Sequence, residues 1–299
     1  MNSFPYSLVP LINCHHESGT SHQDLSCCKN LFQVSTAMGH KRFSFPTIPF
    51  IMFLSAFHAY GQLDYGFYDR SCPHLPMIVR FGVWAAFRNE TRIAASLLRL
   101  HFHDCFVNSG GPYWPVSLGR RDGLTASQQA ANERLPSPFE PLENITAKFT
   151  ANGLDLKDVV VLSGAHTIGY AQCFTFKRRL FNFKGSGKPD PTLDFSLLSN
   201  LQSNCPNLDG SNSKLNPLDV STGYMFDNSY YKNLVSNTGL LESDQALMGN
   251  PSTAAIVNDY STYPFHFAND FAVSMMKLGN IEVLTGQAGQ IRKRCGALH

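Results

Sequence analysis

An all-α protein is what this sequence predicts, and three observations carry that expectation. First, Asn89-Glu-Thr-Arg-Ile-Ala-Ala-Ser-Leu-Leu is rich in helix formers and Gly110-Gly111 stops the pattern, so Thr91 to Val107 reads as one helix. Second, Asp155 to Ser163 reads as a short helix with Asp155 as its N-cap, Asp158 at N3 and Gly164 ending it. Third, Met77 to Phe87 and Phe267 to Leu278 read as the first and last helices of the folded part.

The 299 residues suit one large domain or two small ones, and a hydrophobic content of 43% is enough for a sizeable core. Charged residues are 15% of the chain and the formal net charge is +2, without Lys/Arg blocks, so nothing points to a nucleic-acid partner. The 8 cysteines point to an oxidising compartment. Residues 1–37 show no period; Cys14, Cys27, Cys28 and His15-His16 match no metal-finger spacing, so this stretch reads as a disordered extension or a misassigned start. At Met38 the character changes. Lys41-Arg42, an apolar Phe43 to Phe57 and the small residues of Ala59-Tyr60-Gly61 read as a secretory signal peptide over 38–61, cleaved before Gln62. The apolar run is short and contains Pro46 and Pro49, which argues against a membrane span. Residues 62–299 are then the folded domain, with glycosylation sequons at Asn89-Glu-Thr91 and Asn144-Ile-Thr146.

The chemistry-bearing stretch is Arg99-Leu100-His101-Phe102-His103-Asp104-Cys105-Phe106. On a helix, Arg99, Phe102, His103 and Phe106 fall at i, i+3, i+4 and i+7 and share one stripe. A guanidinium and an imidazole one turn apart, walled by two phenyl rings, make a dry pocket with one fixed charge and one proton carrier. Three readings are open here. One is a packed helix with a satisfied histidine and a snorkelling arginine. Another is a metal hydrolase using His101, His103 and Asp104, which needs an extended strand to put both imidazoles on one face. The third is a proton-shuttling pair above a cofactor. His166, just past the end of a helix, suits a protonated imidazole there for dipole reasons alone. Asp219 to Asp227 holds two carboxylates, a threonine and available carbonyls, which suits a hard cation.

The Arg99–Phe106 string resembles the distal-haem motif of secreted plant haem peroxidases (class III), and Leu162-Ser-Gly-Ala-His166-Thr-Ile-Gly resembles the proximal-haem motif of the same family. Gln62 to Pro73, Trp114 to Gly123 and Gly239 to Gln245 match it too. The resemblance implies the two-lobed haem peroxidase fold and an enzyme reducing hydrogen peroxide while oxidising phenolic donors. Haem b would be held by His166 as axial ligand, with Phe102 in the pocket wall and Asp244 bonded to the far imidazole nitrogen. His103 would move the proton and Arg99 would stabilise developing charge. Pro136 would lie at the donor entrance. Thr167, Asp219, Thr222, Asp227 and the Met225 carbonyl would hold a proximal calcium ion. Cys173 and Cys205 would pair, and the protein would be a monomer in the cell wall or apoplast.

The resemblance also shows a break. Asn108-Ser109 runs directly into Gly110-Gly111-Pro112-Tyr113-Trp114, where the family has a calcium loop, a pair of cysteines and several helices. A skipped exon, a misread gene or a decaying gene copy would leave such a join. The distal calcium site keeps only Asp104 and the Val107 carbonyl and is expected not to form. The family asparagine that orients the distal histidine is absent, and Cys72, Cys105 and Cys295 lose their usual partners. A catalytically impaired secreted relic is therefore the alternative function.

Overall fold

A computed structural model describes residues 63–90, 95, 112–125 and 127–291. The segments 1–37 and 38–61 lie outside the described residues, as does the 91–107 helix except for Ala95, which is helical. The described residues fall into two compact units, a smaller one of 63–81, 117–125 and 284–291 and a larger one holding the rest.

The described residues are mostly helical, consistent with the all-α haem peroxidase fold. Helix α1 (Leu75–Asn89) extends the predicted first helix by two residues at each end. In the smaller unit, three distant stretches are tied by backbone bonds. Asp64 pairs with Leu118, and Asp122 with Gln290, as isolated antiparallel bridges. Gly119 there has φ +102°, and a Cβ on it would sit 2.8 Å from the Phe67 ring, so only glycine lets the ring close over the turn.

The larger unit is built from α2 (Gln128–Arg134), α3 (Leu142–Ala151), α4 (Leu156–Ser163), α5 (Lys177–Phe181), α6 (Phe195–Asn204), α7 (Ser229–Val235), α8 (Glu242–Gln245), α9 (Pro251–Thr262) and α10 (Pro264–Gly279). Caps set several of the starts. Asp155 and Asp158 form the reciprocal capping box of α4, each side chain accepting the other's backbone N–H at 2.9 Å. Asn250 caps α9 and Pro251 opens it; Pro264 opens α10.

Helix α4 packs on α3, α9 and α10. Its consecutive Val159, Val160 and Val161 are all buried, so the middle of the helix is covered on more than one face, while Lys157 in its first turn is exposed. Around it lies an aromatic core. Phe226 stacks on Phe267 at 5.3 Å, while Tyr231, Phe271 and Trp114 extend the cluster edge to face. A second core gathers Phe176, Leu180, Leu193, Leu201 and Leu240 around a disulfide between Cys173 and Cys205, the pairing the resemblance implied.

Gly164 ends α4 as the sequence predicts, in right-handed geometry (φ −60°), and the chain then tightens into a 3-10 turn, Gly164–Thr167. Glycine is needed there for space, because a Cβ would lie 2.6 Å from the Phe267 ring and closer still to the Tyr231 hydroxyl. The chain also forms a small antiparallel pair, β1 (Tyr170–Gln172) with β2 (Leu215–Pro217), in the register Tyr170↔Pro217 and Ala171↔Asn216. Strands of three residues carry too little alternation to be read from sequence.

Candidate active site

The 3-10 turn after α4 presents His166, whose side chain is 37% exposed. Its Nδ1 lies 2.9 Å from Oδ1 of Asp244 on α8, a residue 3% exposed. An ionised carboxylate only accepts hydrogen bonds, so the imidazole proton belongs on Nδ1 and the lone pair on Nε2. The same carboxylate oxygen accepts a bond from the Tyr230 hydroxyl at 3.1 Å. Burial, and then the Asp244 charge, push the Tyr230 hydroxyl well above the ordinary phenol range, so it stays a donor.

Asp244 is held in place by its approach segment. Arg179 on α5 is fully buried; its Nη1 donates to the carbonyls of Gly239 and Leu240 at 2.6 and 2.9 Å, and its Nε to Asp190 at 2.9 Å. Gln245 closes the same segment from within, donating to the Leu234 carbonyl at 3.0 Å and accepting from the Gly239 N–H at 3.2 Å. Sequence reasoning missed both Tyr230 and Arg179. Arg179 sits in Lys177-Arg178-Arg179, which reads as a solvated basic face; a buried tyrosine needing a partner for its hydroxyl was the available clue to Tyr230.

Thr167, beside His166, is fully buried, and its hydroxyl lies 3.2 Å from Asp219 Oδ2 and 3.4 Å from Asp227 Oδ1. Asp219 Oδ1 is already engaged by the N–H groups of Ser221 and Thr222 and by Asn233 Nδ2, at 2.7, 3.1 and 2.8 Å. That leaves Oδ2 facing the hydroxyls of Thr167 and Thr222. Two carboxylates thus meet at one threonine, and no Lys or Arg among the described residues pairs with either. This oxygen-rich, doubly negative donor set fits a hard cation. Among the described residues no cluster of three or more His, Cys, Asp or Glu side chains occurs, so hydroxyl and carbonyl oxygens would complete the shell. Met225 donates its N–H to the Thr222 carbonyl at 2.8 Å, folding the loop back on itself.

Pro136 is exposed, on the loop between α2 and α3. Further along that loop the Arg178 guanidinium lies 4.8 Å over the Phe139 ring and also pairs with Glu242 of α8, linking this loop to the element that carries Asp244. Arg99, His101, Phe102, His103, Asp104 and Val107 lie outside the described residues, as do Cys105 and Cys295. Cys72 is buried.

The sequence pattern of the family described as Peroxidase matches residues 107–263. Peroxidase 10 of Arabidopsis thaliana is 53% identical over 302 aligned residues, covering 79% of this chain and 86% of that protein. Peroxidase N of Armoracia rusticana is 41% identical, over 80% of this chain and 92% of that protein. A lignin-forming anionic peroxidase of Nicotiana tabacum is 40% identical, over 79% and 92%. The aligned stretch with the first is longer than the part of this chain it covers, so that relative carries residues with no counterpart here.

Proposed function

The chain belongs to the class III plant peroxidase family, and from that premise we propose that it is a secreted enzyme using haem b to reduce hydrogen peroxide while oxidising phenolic donors. The observation that carries the reading is the His166–Asp244 pair: an imidazole whose proton is held on the far nitrogen by a buried carboxylate is the donor a haem iron takes. The His166–Asp244 pair therefore fits the group: His166 would hold the haem iron, and Phe102 would stand in the pocket wall. Haem, when bound there, would supply the redox chemistry for peroxide reduction and one-electron oxidation of the donor. Asp244 makes the imidazole a stronger donor. His103 takes a proton from hydrogen peroxide and passes it to the leaving oxygen. Arg99 stabilises the charge developing on that oxygen. Pro136 borders the approach of the donor. Thr167, Asp219, Thr222 and Asp227, with the Met225 carbonyl, would hold a calcium ion, which would brace the turn carrying His166. Asp104 and the Val107 carbonyl would be the remnant of a second calcium site, expected not to form.

The remaining expectations belong to the same proposal: a domain over 62–299 internally truncated at 108–110, an extracellular monomer, and no nucleic-acid partner. No helix among the described residues is long and apolar enough to cross a membrane. The test is to produce the full chain with haem and calcium and to record its absorbance and its turnover of a phenol with peroxide. A haem band that His166→Ala removes, together with turnover, supports the reading. A haem band without turnover favours the impaired relic, and absence of a haem band overturns the proposal. Metal-dependent hydrolysis lost in His101→Ala would favour the hydrolase. Sequencing the transcript across Asn108–Gly110 tests the join itself.

A further inference from the structure

We infer that Tyr170 and Tyr224 form a built-in oxidative cross-linking site, at which one-electron oxidation couples the two rings into a dityrosine that staples β1 to the Asp219–Asp227 loop. The Tyr170 hydroxyl donates to the Tyr224 hydroxyl, and the ring centroids are 5.7 Å apart with the planes inclined at 58°. The backbone fixes that approach. The Gly169 N–H donates to the Gly223 carbonyl at 3.3 Å, and the Leu218 N–H to the Gly169 carbonyl at 3.0 Å, so the residues just before each tyrosine are already tied. Tyr170 is further pinned by its pairing with Pro217.

Exposure separates this pair from the other adjacent tyrosines. Tyr224 is 61% exposed, so the protons released on oxidation reach water directly. Tyr230 and Tyr231 stand closer, at 4.9 Å, but both are buried and their hydroxyls are committed to Asp244 and to the Val160 and Val161 carbonyls. Burial pushes both hydroxyls well above the ordinary phenol range, which opposes loss of their protons.

The chemistry balances with peroxide as the only oxidant. Each phenol gives up one electron and one proton, the two ring radicals join at carbons next to the oxygens, and the coupled rings regain aromaticity by moving their ring hydrogens to oxygen. Two tyrosines and one hydrogen peroxide give one dityrosine and two waters. This choice of oxidant rests on the peroxidase reading above; the pairing of the rings does not. The bond would tie the segment following His166 and Thr167 to the loop that supplies Asp219 and Asp227, so a turnover without donor would leave a covalent mark on the candidate calcium site.

The test uses the full chain, loaded with haem and calcium and held dilute. One sample receives stoichiometric hydrogen peroxide without donor; another is oxidised by illuminated ruthenium tris-bipyridyl with persulfate, which needs no haem. Dityrosine fluorescence and a peptide map are read in both. The expected result is one intramolecular cross-linked peptide joining Tyr170 to Tyr224 in both samples, lost almost completely in Tyr170→Phe and in Tyr224→Phe. Failure of the photochemical sample to give that peptide, or dityrosine only in cross-linked dimers, overturns the pairing. The peptide under light but not under peroxide overturns self-modification and leaves the ring geometry standing, while phenol turnover by the same preparation decides the peroxidase reading separately.

Discussion

At the scale of single residues, the organising group is Asp244. It is buried and accepts from both His166 and Tyr230, so its charge decides which imidazole nitrogen keeps the proton. Asp244→Asn preserves size and removes the charge. With haem bound, phenol turnover should fall roughly 10–100-fold, because the outer partner of a metal-binding histidine carries that much of the site's function. The iron reduction potential should rise as the imidazole donates less. Stopped-flow mixing with peroxide and a redox titration measure the two effects, and an unchanged potential would show that the pair only holds the fold. Tyr230→Phe removes a neutral donor to the same oxygen and should cost about 0.5–1.5 kcal/mol of stability, readable from the urea midpoint, with a much smaller effect on turnover.

At the scale of elements, helix α4 and the turn after it set the position of His166, and their two ends obey different rules. The N-terminus is specified locally, by a capping box whose four-residue spacing is visible in the sequence; Asp155→Ala should lower stability by about 0.5–2 kcal/mol. The C-terminus is specified by distant groups. Gly164 keeps right-handed geometry, so the requirement for glycine comes from the Tyr231 hydroxyl and the Phe267 ring on α7 and α10. Gly164→Ala should overpack this corner, cost about 1–3 kcal/mol in thermal unfolding and loosen the His166 turn. The same contrast decides what was legible beforehand. Helix patterns and caps depend on neighbours in sequence, so α1, α4 and α10 could be read directly. Arg179 bonds carbonyls some sixty residues away, Thr167 meets Asp219 across 52 residues, and the β1–β2 pair joins strands of three residues; no local pattern encodes any of these. The Arg99–Phe106 reading rests on motif resemblance more than on periodicity, and that stretch lies outside the described residues.

At the scale of the whole molecule, the larger unit has two cores, and the second depends on a disulfide and a buried ion pair where the first depends on packed aromatics. The Cys173–Cys205 bridge closes a separation of 32 residues, so its loss through Cys173→Ser with Cys205→Ser should cost about 2–4 kcal/mol, seen as a lower Tm. The ion pair makes stability depend on pH. Burial of Asp190 opposes its charge, but hydrogen bonds from Thr192 and the adjacent Arg179 guanidinium more than offset this, holding its carboxyl below the ordinary range. A carboxyl of folded pKa lower than its unfolded value of about 3.9 binds fewer protons when folded. Its contribution is therefore fully present above that value and is lost as the pH falls through the folded pKa. Asp190→Asn should destabilise the protein by about 3–5 kcal/mol at neutral pH, since it leaves the Arg179 charge buried without its partner. The deficit should narrow below about pH 4, because the wild-type protein loses there what the variant never had. Urea unfolding of both proteins across that range measures it, and parallel stability curves would remove Asp190 from the account of acid sensitivity and leave the Arg179 clamp resting on its backbone carbonyls.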